Sequence, residues 1–338
     1  MYKRITATAA AVFVALTMVQ SAAGQTRVAP DPTYRAPRTV DGQPDISGIW
    51  RNDTLTPLER PAGLGDREFY TEAEASDIEA RGREMREADN APGATRTTVG
   101  GSLAQGYNWF WSDPRDSVVY TRRTSMIADP PTGRVPTRPE AEARAAWLVA
   151  NRTDSHENMS PYSRCITRGV PGSMLPNTYN TGNHIFQTSG YVVILYEMVR
   201  EPRIIPLDDR PFVDSKIAQW MGDTRGRWEG ETLVVETRNF TQKAWITPNQ
   251  NAGRMHGVPV SPELRLVERF TRVAENLLDW QVRVEDPVVY TQPWTLELPL
   301  RHDMRYDLYE YACHEGNRAV TGILGGARHE ERERAANP

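Results

Sequence analysis

In the C-terminal half of the chain, apolar and polar positions alternate one by one. Trp280, Val282 and Val284 alternate with Gln281, Arg283 and Glu285, and Trp294, Leu296, Leu298 and Leu300 alternate with Thr295, Glu297 and Pro299. Successive side chains of a strand point to opposite faces, so a period of two predicts strands with one buried and one wet face. Trp280, Val282, Val284, Leu296 and Leu298 are expected in the core, with Gln281, Arg283 and Glu297 toward water. Short turn-forming breaks predict hairpins. Ser189-Gly190 separates residues 184–187 from 191–199, Glu229-Gly230 separates 227–228 from 231–237, and Ala274-Glu275-Asn276 separates 264–273 from 277–284. Residues 117–127 also read as a strand, and 306–313 as one that closes the sheet. Successive hairpins without a βαβ alternation predict a mainly β (α+β) fold. Its antiparallel sheet either closes into a barrel, the favoured form, or folds into a sandwich.

Helical patterning is confined to the periphery. Residues 71–88 read as a polar surface helix in which Thr71 and Glu74 form a capping box. Residues 137–150 read as a second helix, with Thr137 as cap, Pro139 early and an apolar stripe of Ala143, Trp147 and Leu148. A short third helix is expected over 213–221. The segment 90–106 is rich in Gly, Thr, Ala and Ser and reads as a loop.

The N-terminus has the three-part layout of a secretory signal peptide: Lys3 and Arg4, an uncharged apolar run from Ile5 to Val19, then small residues from Ser21 to Gly24. That run is shorter than the roughly 20 residues of a spanning helix, so cleavage rather than anchoring is expected. The domain plan is therefore a signal peptide over 1–24, an extended leader over 25–45, one β-rich domain over 46–330 and a disordered tail over 331–338. The expected location is periplasmic or secreted, without membrane association after cleavage. The formal charge of −4 lacks a concentrated basic patch, which argues against nucleic acid as a partner. Two cysteines occur, Cys165 and Cys313. An even pair in an oxidising compartment predicts a disulfide, with a catalytic thiol at Cys313, beside His314, as the alternative.

Several strings carry a family resemblance: Arg203-Ile204-Ile205-Pro206-Leu207-Asp208, the run from Gly222 to Thr237 around Gly230-Glu231-Thr232-Leu233-Val234-Val235-Glu236, Val267-Glu268-Arg269-Phe270-Thr271, and Tyr309-Glu310-Tyr311-Ala312-Cys313-His314-Glu315-Gly316-Asn317. From about Asp45 to Glu330 the chain resembles a family of exported bacterial proteins of uncharacterised function, which implies no chemistry. Gly48-Ile49-Trp50 is similar to the Gly-x-Trp start of lipocalin-like barrels, which implies such a barrel, and the helical patterning adds two or three peripheral helices.

The chain has no Gly-rich phosphate loop, dinucleotide fingerprint, Gly-x-Ser-x-Gly elbow, His-Glu-x-x-His or cysteine pair at zinc spacing, so no cofactor and no metal site is expected. The chemistry left is charge set into apolar strands. Glu197, Glu236 and Glu268 interrupt apolar runs, and with His314 they form the candidate catalytic set. A buried carboxylate needs a cation or a donor, so Glu197, Glu236 and the Glu268–Arg269 pair are expected to share a polar patch, either a structural ion network or a functional pocket. Arg203, Arg269, His184, Tyr311, Trp109 and Trp111 are the candidate ligand-binding residues, since aromatic rings combine apolar area with a polar handle. Two functions stay open. One is an exported small-molecule-binding barrel for a partly apolar or ring-shaped ligand. The other is a cofactor-independent extracytoplasmic lyase, isomerase or hydrolase.

Overall fold

The structure, a computed structural model, describes residues 29–90, 113, 115–247 and 250–337. The signal-peptide segment, most of the expected 90–106 loop, Trp109 and Trp111 lie outside the described residues. The described residues form ten strands: Gly48–Arg51 (β1), Ile127–Asp129 (β2), Gly182–Thr188 (β3), Tyr191–Tyr196 (β4), Pro202–Pro206 (β5), Asp223–Glu229 (β6), Thr232–Arg238 (β7), Arg265–Ala274 (β8), Leu277–Glu285 (β9) and Trp294–His302 (β10). They make one antiparallel sheet in the order β5-β4-β3-β1-β10-β9-β8-β7-β6, with β2 added to β10. The sheet curls into a nearly closed, lipocalin-like β-barrel. Its outermost strands approach at Gly226 on β6, where an added Cβ would stand 2.7 Å from Ile205 and 2.8 Å from Leu207. The missing side chain is what allows β5 to come so near.

The inner face follows from the period-two pattern. Leu233, Phe270, Trp280 and Leu298 are register partners across β7-β8-β9-β10, as are Val235, Glu268, Val282 and Leu296, and all eight are buried. The barrel is therefore filled with side chains, as in small closed barrels. On the outer face Arg283 is exposed, while Gln281 and Glu297 are half-buried and bonded to each other at 3.0 Å. All three hairpins form at the expected breaks.

Among the described residues three α-helices lie outside the barrel: Glu72–Asn90 (α1), Pro139–Ala150 (α2) and Ala319–Ala336 (α3). The capping box forms on α1, where Thr71 Oγ1 accepts from the Glu74 N–H at 3.2 Å and Glu74 Oε2 accepts from the Thr71 N–H at 2.9 Å. On α2 the cap is Arg138, without a side-chain bond, and Thr137 instead turns to the Met255 sulfur. The helix α3 continues through most of the tail expected to be disordered. Among the described residues no helix is long and apolar enough to cross a membrane.

Three expected elements are absent or cut short, and in each, side chains from elsewhere in the chain claim backbone groups. Residues 213–221 form no helix: Asp223 Oδ2 takes the Val213 N–H at 2.7 Å, and Asn239 bonds its carbonyl at 2.8 Å. The strand over 117–127 shrinks to its last residue in β2, since Glu79 and Thr56 accept the N–H groups of Val118 and Val119. Residues 306–313 form no strand, and Glu197 accepts the Tyr309 N–H. The leader from residue 29 is extended but tied to one end of the barrel. Asp31 donates its N–H to Val273, Arg38 pairs with Glu231, and Gln187 bonds both Pro44 and Ile46.

Candidate functional site

The carboxylates set into apolar strands do not share one patch. Glu268 points into the barrel, where its Oε2 lies 2.5 Å from Arg203 Nη2 and its Oε1 accepts from the Trp280 indole at 3.1 Å. Arg203 also donates to Thr237 Oγ1 at 2.7 Å. Both charged side chains are essentially inaccessible, at 2% and 0% exposure. Burial alone would lower the Arg203 pKa, but the adjacent Glu268 carboxylate outweighs it and holds the pKa above the ordinary value. Since neighbouring strand positions face opposite ways, Arg269 lies outside the barrel and pairs with Glu229 at 3.0 Å. Glu236 is also outside, between Arg238 and Arg265, whose bonds hold its carboxyl below the usual range. His184 is on the outer face against Phe186, with ring centroids 3.8 Å apart, and burial lowers its pKa.

Glu197 follows β4 directly, at one corner of the barrel, and is 1% exposed. Four donors surround its carboxylate: the Gly182 and Tyr309 N–H groups and Asn180 Nδ2, each at 3.0 Å, and the Tyr306 hydroxyl at 2.6 Å. A carboxylate so fully satisfied anchors the irregular segment 303–317 against the barrel rather than standing ready to bond a ligand.

That segment brings Tyr311 to the same corner. The Tyr311 and Tyr162 hydroxyls are 2.8 Å apart, and Tyr162 also reaches the Met198 sulfur at 3.5 Å. The expected disulfide forms, joining Cys165 to Cys313 with their Cα atoms 5.5 Å apart. It staples the 160–173 loop to the segment that carries Tyr311. The loop turns sharply, with left-handed φ values of 54° at Cys165 and 70° at Gly169. Between these turns Arg168 is carried inward to 3% exposure, its guanidinium 5.7 Å from the Tyr162 ring centre. His314, just past the bridge, is exposed.

A cleft of about 350 Å³ opens on the outer face of β8, β9 and β10, bounded on one side by Tyr120 and Thr121. Asp279 lies in its wall. Tyr120 donates its hydroxyl to Asp279 Oδ2 at 2.9 Å, while Oδ1 is enclosed and has no hydrogen-bond partner among the described residues. Burial is the main reason the Asp279 pKa rises to about 6, with the Tyr120 bond opposing and Glu297 adding to the rise. Arg269, Gln281 and Glu297 complete the polar side, and Val273 and Pro299 the apolar side.

Of the residues singled out in the sequence, Arg203 and Glu268 meet inside the barrel, and Glu197 and Tyr311 share a corner. Glu236, Arg269 and His184 lie on the outer face, and only Arg269 among them lines the cleft. Among the described residues Glu197, Glu236, Glu268 and His314 have no hydrogen-bond partner in common. The sequence reading passed over Asp279, although it stands between Leu278 and Trp280 as Glu268 stands between Val267 and Arg269. It also passed over Arg168, whose loop has no periodicity to mark it. No protein-family model and no curated protein matches the chain. Among solved structures it is similar to a secretary abundant heat soluble (SAHS) protein from Ramazzottius varieornatus, at 10% identity and a TM-score of 0.23, over 43% of this chain and 87% of that one.

Proposed function

We propose that the protein is an extracytoplasmic small-molecule-binding β-barrel that holds its ligand in the outer-face cleft beside Asp279. The observation that carries this reading is an incompletely bonded carboxylate in the wall of a cleft of about 350 Å³. That volume falls within the roughly 300–1,000 Å³ of small-molecule sites. The mixed walls suit a ring-shaped ligand with hydroxyl or ammonium donors on one edge: Tyr120, Val273 and Pro299 cover its apolar side, and Asp279, Gln281 and Glu297 accept from its donors. The disulfide and the signal-like N-terminus support a site of action outside the cytoplasm. Protein recovered from the periplasm or medium should start near residue 25 by mass, and recovery of only the full-length chain there would contradict cleavage.

A second reading, a cofactor-independent lyase, isomerase or hydrolase, is favoured by one observation. Asp279 has a pKa of about 6, which suits a general acid near neutral pH. The experiment is a thermal-shift screen of the mature protein against sugars, phenolics, terpenoids and aromatic amines, repeated with Asp279→Asn. A ligand that binds only the folded state raises the melting temperature. The expected result is a hit that Asp279→Asn abolishes. A hit of equal size in Asp279→Asn would remove the cleft as the site. Turnover of a hit by the wild type alone would favour the enzyme.

A further inference from the structure

Arg168 presents a problem that the barrel solves elsewhere. A charge taken out of water is normally matched by an opposite charge or by hydrogen-bond acceptors. Arg168 is 3% exposed, yet among the described residues its guanidinium makes no ion pair and donates no hydrogen bond; its contact is the Tyr162 ring at 5.7 Å. The groups that act on it electrostatically are the hydroxyls of Tyr162, Tyr311 and Tyr179, and burial lowers its pKa because those neutral groups do not replace water. One turn earlier on the same loop, Arg164 has an enclosed Nε without a partner and stacks over Trp220 at 5.8 Å. Arg164 has the Glu157 carboxylate acting on it, whereas Arg168 has no counter-charge among the described residues.

We propose that Arg168, with Tyr162 and Tyr311, forms a second binding site, separate from the outer-face cleft, for the carboxylate of a small organic acid. The planar fork of a guanidinium matches a carboxylate through two parallel hydrogen bonds, and such bonds are stronger than neutral ones. The two tyrosine hydroxyls, 2.8 Å apart, add donors to the same oxygens and rings against the organic part. Entry requires the Tyr311 side chain to part from Tyr162 and Tyr179, with which its hydroxyl interacts, while Glu197 and the disulfide hold the backbone of its irregular segment on either side. The Cys165–Cys313 bridge sets how far that wall moves, because each cysteine is within three residues of a member of the site.

The test is calorimetric and thermal-shift titration of the oxidised mature protein with sodium benzoate and with inorganic phosphate, against sodium chloride of equal ionic strength. Benzoate should bind and raise the melting temperature beyond chloride. Arg168→Met should abolish this, and Arg168→Lys, which keeps the charge and loses the fork, should weaken binding by about tenfold or more. Tyr311→Phe should weaken it by several-fold, and reduction of the bridge should weaken it as well. Benzoate acting no more strongly than chloride, or equally in folded Arg168→Met and Arg168→Lys, would overturn the site. Phosphate binding without benzoate binding would overturn the carboxylate assignment. Asp279→Asn should leave benzoate binding unchanged, so this site and the outer-face cleft succeed or fail separately.

Discussion

Of the four arginines buried among the described residues, Arg51, Arg60, Arg168 and Arg203, the last two are treated in opposite ways. Arg203 reaches the barrel interior from β5 and finds Glu268, Thr237 and the Tyr196 hydroxyl, with Trp280 securing the far oxygen of the carboxylate. Arg168 reaches the disulfide-stapled corner from a loop and finds tyrosine rings and hydroxyls. The first is a closed account of charge, in which every partner comes from the chain and the pair ties β5 to β7 and β8 where the sheet nearly closes. The second is open on the chain's side. Burial by itself therefore says little about whether a charged residue serves the fold or a ligand; the bonding of its neighbours decides.

The same substitution at both arginines separates the two cases most sharply. Arg203→Met leaves Glu268 buried without its cation and should cost about 3–5 kcal/mol in urea unfolding. Replacing the pair together, as Arg203→Met with Glu268→Leu, should restore most of that loss. A single-mutant cost under about 1 kcal/mol, typical of surface changes, would mean the pair does not hold the barrel. Cys165→Ser with Cys313→Ser removes a bridge across a sequence separation of 148. The expected loss is about 2–5 kcal/mol, with weaker binding at Arg168. Full stability after this change would show that the corner is held by packing alone.

Asp279 applies the comparison to a carboxylate. Its pKa rises from 3.8 to about 6 on folding. Below about pH 4 it is protonated whether the chain is folded or not. As the pH climbs from there to about 6, only the folded state keeps the proton, and stability falls; above that window the penalty is constant. Asp279→Asn should therefore stabilise the protein by about 1–3 kcal/mol at pH 7.5 and by almost nothing at pH 3.5. A pH-independent effect would place its cause in packing. Arg168→Met should change the stability of the ligand-free protein by less than about 1 kcal/mol, or raise it, since no counter-charge among the described residues is left behind. A loss as large as that of Arg203→Met would erase the distinction between the two arginines. Smallest of all, Glu236→Gln on the outer face should cost at most about 1 kcal/mol, and less in high salt.

The barrel was legible because its strands alternate. Trp280, Val282 and Val284 could face only one way, and Ser189-Gly190 and Gly230 mark turns that any register must respect. Adjacency also required one of Glu268 and Arg269 to point inward. Which one, and that its partner is Arg203, depended on the curl that brings β5 to β6, and that closure is not a local property. The elements lost from residues 117–127, 213–221 and 306–313 share another cause: distant side chains such as Glu79, Asp223 and Glu197 capture backbone groups that a strand or helix would have used. Asp279 was overlooked because Tyr120, which encloses it, arrives from 159 positions away in the chain.

The place of β1 in the sheet has a further consequence, in the order of events as the chain is made. Trp50 pairs with Asn183 on one side and with His302 on the other. A chain that emerges N-terminus first therefore presents β1 long before either neighbour exists, and its second neighbour is the last strand of all. Contacts so distant in sequence form slowly, and no fragment that stops short of β10 can bury both edges of β1. Until the ribosome has passed His302 the polypeptide stays unclosed, so premature termination yields aggregation-prone remnants rather than partial barrels.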